Sequence, residues 1–244
     1  MSDLSLYICV ILLSIIIFET ARLLLHLQKA VDAGKRVIPV TQSLQSAHKR
    51  ILVIGDSTSF GTGAIKSENS LVGRLARDFP NTEIVNASEN AMNIKRLTEK
   101  LSGMREQRFD VAMIHIGGMD TISFTPSSAI KHSFKKIQQY LDMMSVSTTL
   151  LISMNNVGSA PIFRFPLNVM YDRRSKRLTE LFANICTDCN LIHVPLYERR
   201  NDDPLLNHTE HTFAEDKIHP NDAGYEIWYK KIKNVVQPYV IQQQ

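Results

Sequence analysis

Two short stretches carry residue types that make chemistry when they meet. The first is Gly55-Asp56-Ser57, where the apolar run "ILVIG" breaks into small and hydroxylated residues. The second is "DKIHP", which puts Asp216 three positions before His219 and Pro220 directly after it. A serine hydroxyl becomes a nucleophile only beside a base, and an imidazole base works best when a carboxylate holds its second nitrogen. Ser57, His219 and Asp216 are the residue types of such a relay, and a tight turn would let Asp216 reach the His219 ring.

The glycines after Ser57 invite a phosphate reading, which the spacing rejects. A Walker A loop needs four residues between its glycines and then a lysine, and "GDSTSFGTG" has neither. The dinucleotide fingerprint fails at its third glycine in "GTGAIK", and no G-x-S-x-G elbow occurs in the chain.

The elements around these stretches alternate. "RILVIG", "EIVNAS", "DVAMIHIG", "TTLLISMN" and "LIHVPLY" are apolar, β-branched runs of strand length. Between them lie amphipathic stretches: "SLVGRLARDF", "IKRLTEKLSGM", "SSAIKHSFKKIQQYLDMM" with Ser127 or Ser128 as cap, and "RRSKRLTELFANIC". The chain closes on "NDAGYEIWYKKIKNVV", with Pro220 just ahead of that helix. This alternation predicts an α/β fold, a five-stranded parallel sheet with helices on both faces. In such sheets the reacting groups stand on loops past the strand carboxyl ends. Ser57 follows the first strand, and Asp216 and His219 precede the last helix.

Ahead of these elements, Leu4 to Phe18 carries no charge, and after Glu19 and Arg22 the apolar character resumes at Leu23 to Leu25. We expect residues 1–27 to form a transmembrane anchor, with Arg22 snorkelling and Glu19 at the interface, and residues 28–49 to connect it to a domain over 50–244. A cleaved signal peptide would want a basic start and a small-residue cleavage site; a buried core helix is the other alternative. Arg22, Lys29, Lys35, Arg36, Lys49 and Arg50 all follow the apolar run, so the positive-inside rule puts the domain on the cytoplasmic side.

Composition narrows the remaining classes. The 244 residues carry a net charge of +4 with no concentrated basic stripe, so nucleic acid is not an expected partner. Three cysteines make no disulfide framework. Cys186 and Cys189 form an isolated C-x-x-C that reads as two ordinary thiols. "HTEH", His208 to His211, lacks a zincin order, and no metal is expected there. His115 and His193 sit on strands and read as interior histidines with satisfied rings. The Pro- and aromatic-rich stretch 155–171 reads equally as a self-packed surface loop and as a lid or acyl-binding wall.

Together, the Gly55-Asp56-Ser57 turn after the first strand and Asp216-x-x-His219-Pro220 before the final helix resemble the SGNH (GDSL-type) hydrolases, a family of esterases, lipases and thioesterases. The resemblance runs over roughly residues 50 to 238 in the same order of elements and implies a flavodoxin-like SGNH sandwich. It implies Ser57 as nucleophile, His219 as general base and then acid, Asp216 as its orienter, and no cofactor. The substrate class it implies is a carboxylic ester or thioester, lipid-like or on an acylated small molecule.

The middle blocks depart from the family pattern. The second normally runs Asn-x-x-x-x-Gly, and here Asn86 is kept while Ala91 takes the glycine's place; its N–H serves the oxyanion hole if its φ is not positive. The third is normally Gly-x-Asn-Asp; here it is Gly117-Gly118-Met119-Asp120, and a thioether cannot donate. The implied oxyanion hole is thus Ser57, Ala91 and the position of Met119. Losing one such donor costs about 10²–10³ in rate in other serine hydrolases. Asn90, Asn93, Asn155 and Asn156 are the amides available to replace it. The alternative to an active enzyme is a catalytically impaired descendant of the fold that binds or scaffolds at the membrane.

Overall fold

The computed structural model describes residues 3–208 and 211–240. Five strands, β1 (Lys49–Gly55), β2 (Thr82–Asn86), β3 (Val111–Ile116), β4 (Thr148–Ser153) and β5 (Ile192–Pro195), form one sheet in the order β2-β1-β3-β4-β5. Every neighbouring pair is parallel. The expected α/β fold is therefore present, in the flavodoxin-type strand order.

One helix, α1 (Asp3–Arg36), precedes the sheet, and helices follow the strands: α2 (Ser57–Phe60), α3 (Leu71–Asp78), α4 (Ile94–Ser102), α5 (Gly118–Ile122), α6 (Ser127–Met143), α7 (Leu167–Cys189) and α8 (Asp222–Val240). Strand side chains alternate between two faces, which explains the two separate cores. Leu52, Ile54, Ala112, Ile114 and Leu151 meet the apolar sides of α4, α6 and α7. Ile51, Val53, Met113, Leu150 and Ile152 meet those of α3 and α8. A sheet buried on both faces needs continuous apolar strands, and the interior strands β1, β3 and β4 have them.

The strand order also places the site. From β1 the chain moves to β2 on one side and then returns to β3 on the other. The loops leaving β1 and β3 therefore diverge and open a crevice between them. Gly55, at the end of β1, packs so closely on β3 that a Cβ there would lie 2.2 Å from the His115 carbonyl oxygen.

Three local expectations change. Ser127 does not cap α6 but begins it, behind Pro126, because a proline ahead of the first turn fixes the entry direction. The stretch 155–171 is not one loop: Val157–Ser159 is a 3-10 turn, and Leu167 onward is already the first turn of α7. Finally, α1 does not give way to a connector at residue 28 but continues to Arg36. The apolar window of α1 has a mean hydropathy of 2.4 and none of it is buried. The helix is long and apolar enough to cross a membrane, a property that spans and signal sequences share.

Candidate active site

Ser57 stands at the start of α2, directly after β1. Asp56 caps that short helix by accepting from the Thr58 N–H at 3.0 Å, and Gly61 ends it in the left-handed region at φ 102°. Asn86, at the end of β2, donates to the Ser59 carbonyl at 3.0 Å and so ties the serine turn to the neighbouring strand.

The second half of the site comes from the far end of the chain. In the turn Asp216–His219 the Asp216 Oδ1 accepts from the Ile218 and His219 N–H groups at 2.9 and 3.0 Å. Its Oδ2 is then left facing His219 Nδ1 at 2.6 Å. Burial works to raise the Asp216 carboxyl, but the His219 hydrogen bond and charge, with the two backbone donors, outweigh it and hold the group below the usual carboxylate range. Asp216 thus stays ionised opposite the ring. Tyr225, buried on α8, donates to the Thr58 and Thr62 carbonyls at 3.1 and 2.7 Å, which clamps the last helix and its preceding turn onto the serine loop.

These constraints bring His219 Nε2 to 2.8 Å from Ser57 Oγ. Serine, imidazole and carboxylate form one continuous hydrogen-bonded line across 162 positions of sequence.

The sequence profile of the GDSL-like Lipase/Acylhydrolase family matches residues 53–227, which include both blocks of this line. The chain belongs to the GDSL-like lipase/acylhydrolase family. Membership makes it an ester-hydrolysing enzyme by class. Solved structures share the fold at low identity. TesA superposes with a TM-score of 0.63 at 17% identity, over 78% of this chain and 99% of its own. The psychrotrophic esterase EstA from Pseudoalteromonas sp., inhibited by monoethylphosphonate, gives 0.58 at 17%, over 79% and 98%. The lipase/acylhydrolase from Enterococcus faecalis gives 0.57 at 18%, over 80% and 99%. No curated protein sequence is a detectable relative of the chain.

The oxyanion side of this GDSL-family site departs from expectation. Ala91 has φ 55°, so the non-positive φ set as its condition is not met: the alanine adopts, at a strain cost, the left-handed turn in which a glycine would sit, and its N–H keeps the direction a glycine's would have there. Among the described residues nothing accepts from the Ala91 or Ser57 N–H, so both donors are free. An L-residue in this region costs about 1–2 kcal/mol. Ala91→Gly removes that cost but adds about 0.5–1 kcal/mol of unfolded-state entropy. We expect a net gain of up to about 1.5 kcal/mol, read as a melting point higher by up to about 3–6 °C. A lower melting point would mean that the Ala91 methyl packs well enough to outweigh its strain.

Met119 is the second residue of α5, which Gly118 opens behind Gly117, whose φ of 118° makes the turn out of β3. It lines the cavity. Of the four amides available to replace that donor, Asn93 and Asn156 do not line the cavity. Asn93 caps α4 through the Arg96 N–H at 3.0 Å, and buried Asn156 donates to Asp172 at 2.5 Å. Asn90 lines the cavity but is held by Thr62, whose hydroxyl donates to its Oδ1 at 2.7 Å. Asn155 also lines it, and its amide makes only a 3.3 Å bond to the Asn156 carbonyl.

His115 lies in the cavity wall, fully buried, with Nδ1 3.2 Å from Ser59 Oγ and its ring edge-on to Trp228. Burial lowers its pKa, which keeps the ring neutral. His193 pairs with the Ser153 hydroxyl at 3.0 Å. Cys9, Cys186 and Cys189 are free thiols, and burial pushes Cys186 up to about 12, which makes it inert as a nucleophile. Of "HTEH", Thr209 and Glu210 lie outside the described residues; His211 is exposed.

The cavity beside Ser57 has a volume of about 600 Å³ and is mostly apolar. Met154, Phe163 and Ile218 line it, and so do Leu27, Ala30, Val31 and Gly34 of α1. That contribution of α1 was not expected from the sequence. The signal for it is the spacing Leu23, Leu27, Ala30, Gly34, a helical stripe that continues beyond the apolar run. Arg22 likewise does not snorkel freely: it bonds Glu19 at 2.7 Å and the Ile162 carbonyl at 2.9 Å.

Proposed function

We propose that the chain is a membrane-anchored serine hydrolase that cleaves a carboxylic ester or thioester on a lipid-like or acylated small substrate. Ser57 Oγ attacks the acyl carbon while its proton passes to His219 Nε2, and Asp216 steadies the resulting imidazolium through Nδ1. The Ser57 and Ala91 N–H groups face the developing oxyanion. Collapse expels the alcohol or thiol, which takes the proton from His219. Water then attacks the acyl-serine, again with His219 as base, and releases the acid. The single observation that carries this reading is the 2.8 Å approach of His219 to Ser57 with Asp216 behind it. No step calls for a cofactor or metal.

On this reading residues 1–27 anchor the protein, and the basic residues that follow put residues 50–244 on the cytoplasmic side. A fluorophosphonate probe tests the chemistry, because it forms a covalent bond only with an activated serine. Labelling that disappears in Ser57→Ala is the expected result. A folded protein that takes no label overturns the reading and leaves the non-catalytic binding role, which Met119 favours.

A further inference from the structure

One rod joins the apolar segment to the cavity. Up to Phe18, α1 touches little of the protein, and its large apolar side chains from Leu6 onward are exposed. From Glu19 it is docked: Glu19 meets Arg164 at 2.9 Å, Arg22 meets the Ile162 carbonyl, and Leu23 packs against the core. Two and three turns further on, Ala30 and Gly34 face the cavity, and Gly34 is so close to Asn90 that a Cβ would lie 2.8 Å from its amide nitrogen.

Length then sets the depth. The uncharged run Leu4–Phe18 spans about 22 Å at ~1.5 Å per residue, against a hydrocarbon core of about 30 Å. The missing length, about 8 Å, falls on the next turns. There Leu24 and Leu25 are 60% and 68% exposed, facing away from the protein. Seating them in the headgroup layer puts Glu19, and with it the docked segment Ile162–Arg164, at the hydrocarbon boundary. The residues after it are apolar and exposed: Phe165 at 82%, with Val169 and Met170. Bare aromatic and aliphatic side chains beside an apolar helix are what an interfacial surface needs.

We propose that this face sits on the bilayer and that the cavity draws its acyl chain laterally from it, between α1 and the segment 160–171. The substrate class is then a membrane-resident ester with a long acyl chain. Ser57 would break its acyl C–O bond, and water would complete the free fatty acid, leaving the lyso-alcohol. This rests on the triad and anchor readings above.

The test uses the full chain in phosphatidylcholine vesicles carrying a long-chain fluorogenic ester, with p-nitrophenyl acetate as the soluble comparison. Val31→Trp places bulk at the cavity rim on a half-exposed position where folding is not at stake. It should lower the ratio of long-chain to acetate hydrolysis by about tenfold or more, the size of a typical overpacking cost. Phe165→Asp with Met170→Asp should lower vesicle turnover by a similar factor, and the same ester in detergent micelles should restore it. Acetate hydrolysis by the wild type reports on the triad alone. With that present, an unchanged ratio in Val31→Trp, or vesicle turnover insensitive to the charged pair, overturns the membrane entrance. Absence of acetate hydrolysis, with no Ser57 labelling, overturns the triad reading and this inference with it.

Discussion

Ser57→Ala lowers ester hydrolysis by about 10⁶-fold, and Asp216→Asn by about 10⁴-fold, if the hydrogen-bonded line acts as a catalytic unit. Alanine removes the hydroxyl oxygen that stands 2.8 Å from His219 Nε2. Asparagine keeps the shape of Asp216 but loses the charge that faces His219 Nδ1 at 2.6 Å. Its amide can hold the ring in the wrong tautomer, with Nε2 carrying the proton that it should accept from Ser57. The two losses should not add. In the Ser57→Ala background, Asp216→Asn changes little, because the remaining rate comes from binding and the oxyanion donors. Steady-state kinetics on a short-chain aryl ester measure all three variants, and circular dichroism checks that each is folded. Full additivity would mean that the residues act separately. A wild-type rate in Ser57→Ala would remove the serine from the chemistry.

Met119→Asn raises kcat by about 10²–10³, the value of one oxyanion donor in other serine hydrolases. The position lines the cavity at the mouth of β3, and the smaller amide fits where the thioether now stands. An amide aimed at the oxyanion acts on the transition state more than on the ground state. The gain should therefore appear in kcat, with KM for a short-chain ester little changed. If the rate does not rise, another group already supplies the donor. Asn155 is then the residue to remove, because it lines the same cavity with a weakly engaged amide. A large loss in Asn155→Ala would place the missing donor there.

The strands were legible because both of their faces are buried, which makes β1 and β3 nearly continuous apolar runs. Ser57, Asp216 and His219 were legible as residue types in short blocks, and strand order put the blocks at one edge of the sheet. The ends of helices were less so. Nothing local in "NVMYDRR" distinguishes the first turns of α7 from a loop, and α1 passes residue 28 because its docked face, rather than its polarity, keeps it helical.

By itself the sequence determined the α/β alternation, the residue types in the two blocks that the fold brings together, and the absence of an amide at Met119. These are properties of single positions and of local period, which a linear chain displays openly. Only the tertiary structure decided that Ala91 adopts φ 55° with its N–H free, and that Asn93 and Asn156 are occupied elsewhere. It alone decided that α1 forms a wall of the cavity. Each depends on partners far along the chain: Arg22 finds Ile162 across 140 positions, and Gly34 finds Asn90 across 56. Such pairings are made by packing: the stripe Leu23, Leu27, Ala30, Gly34 marks a face that docks, but no local pattern names what it docks on.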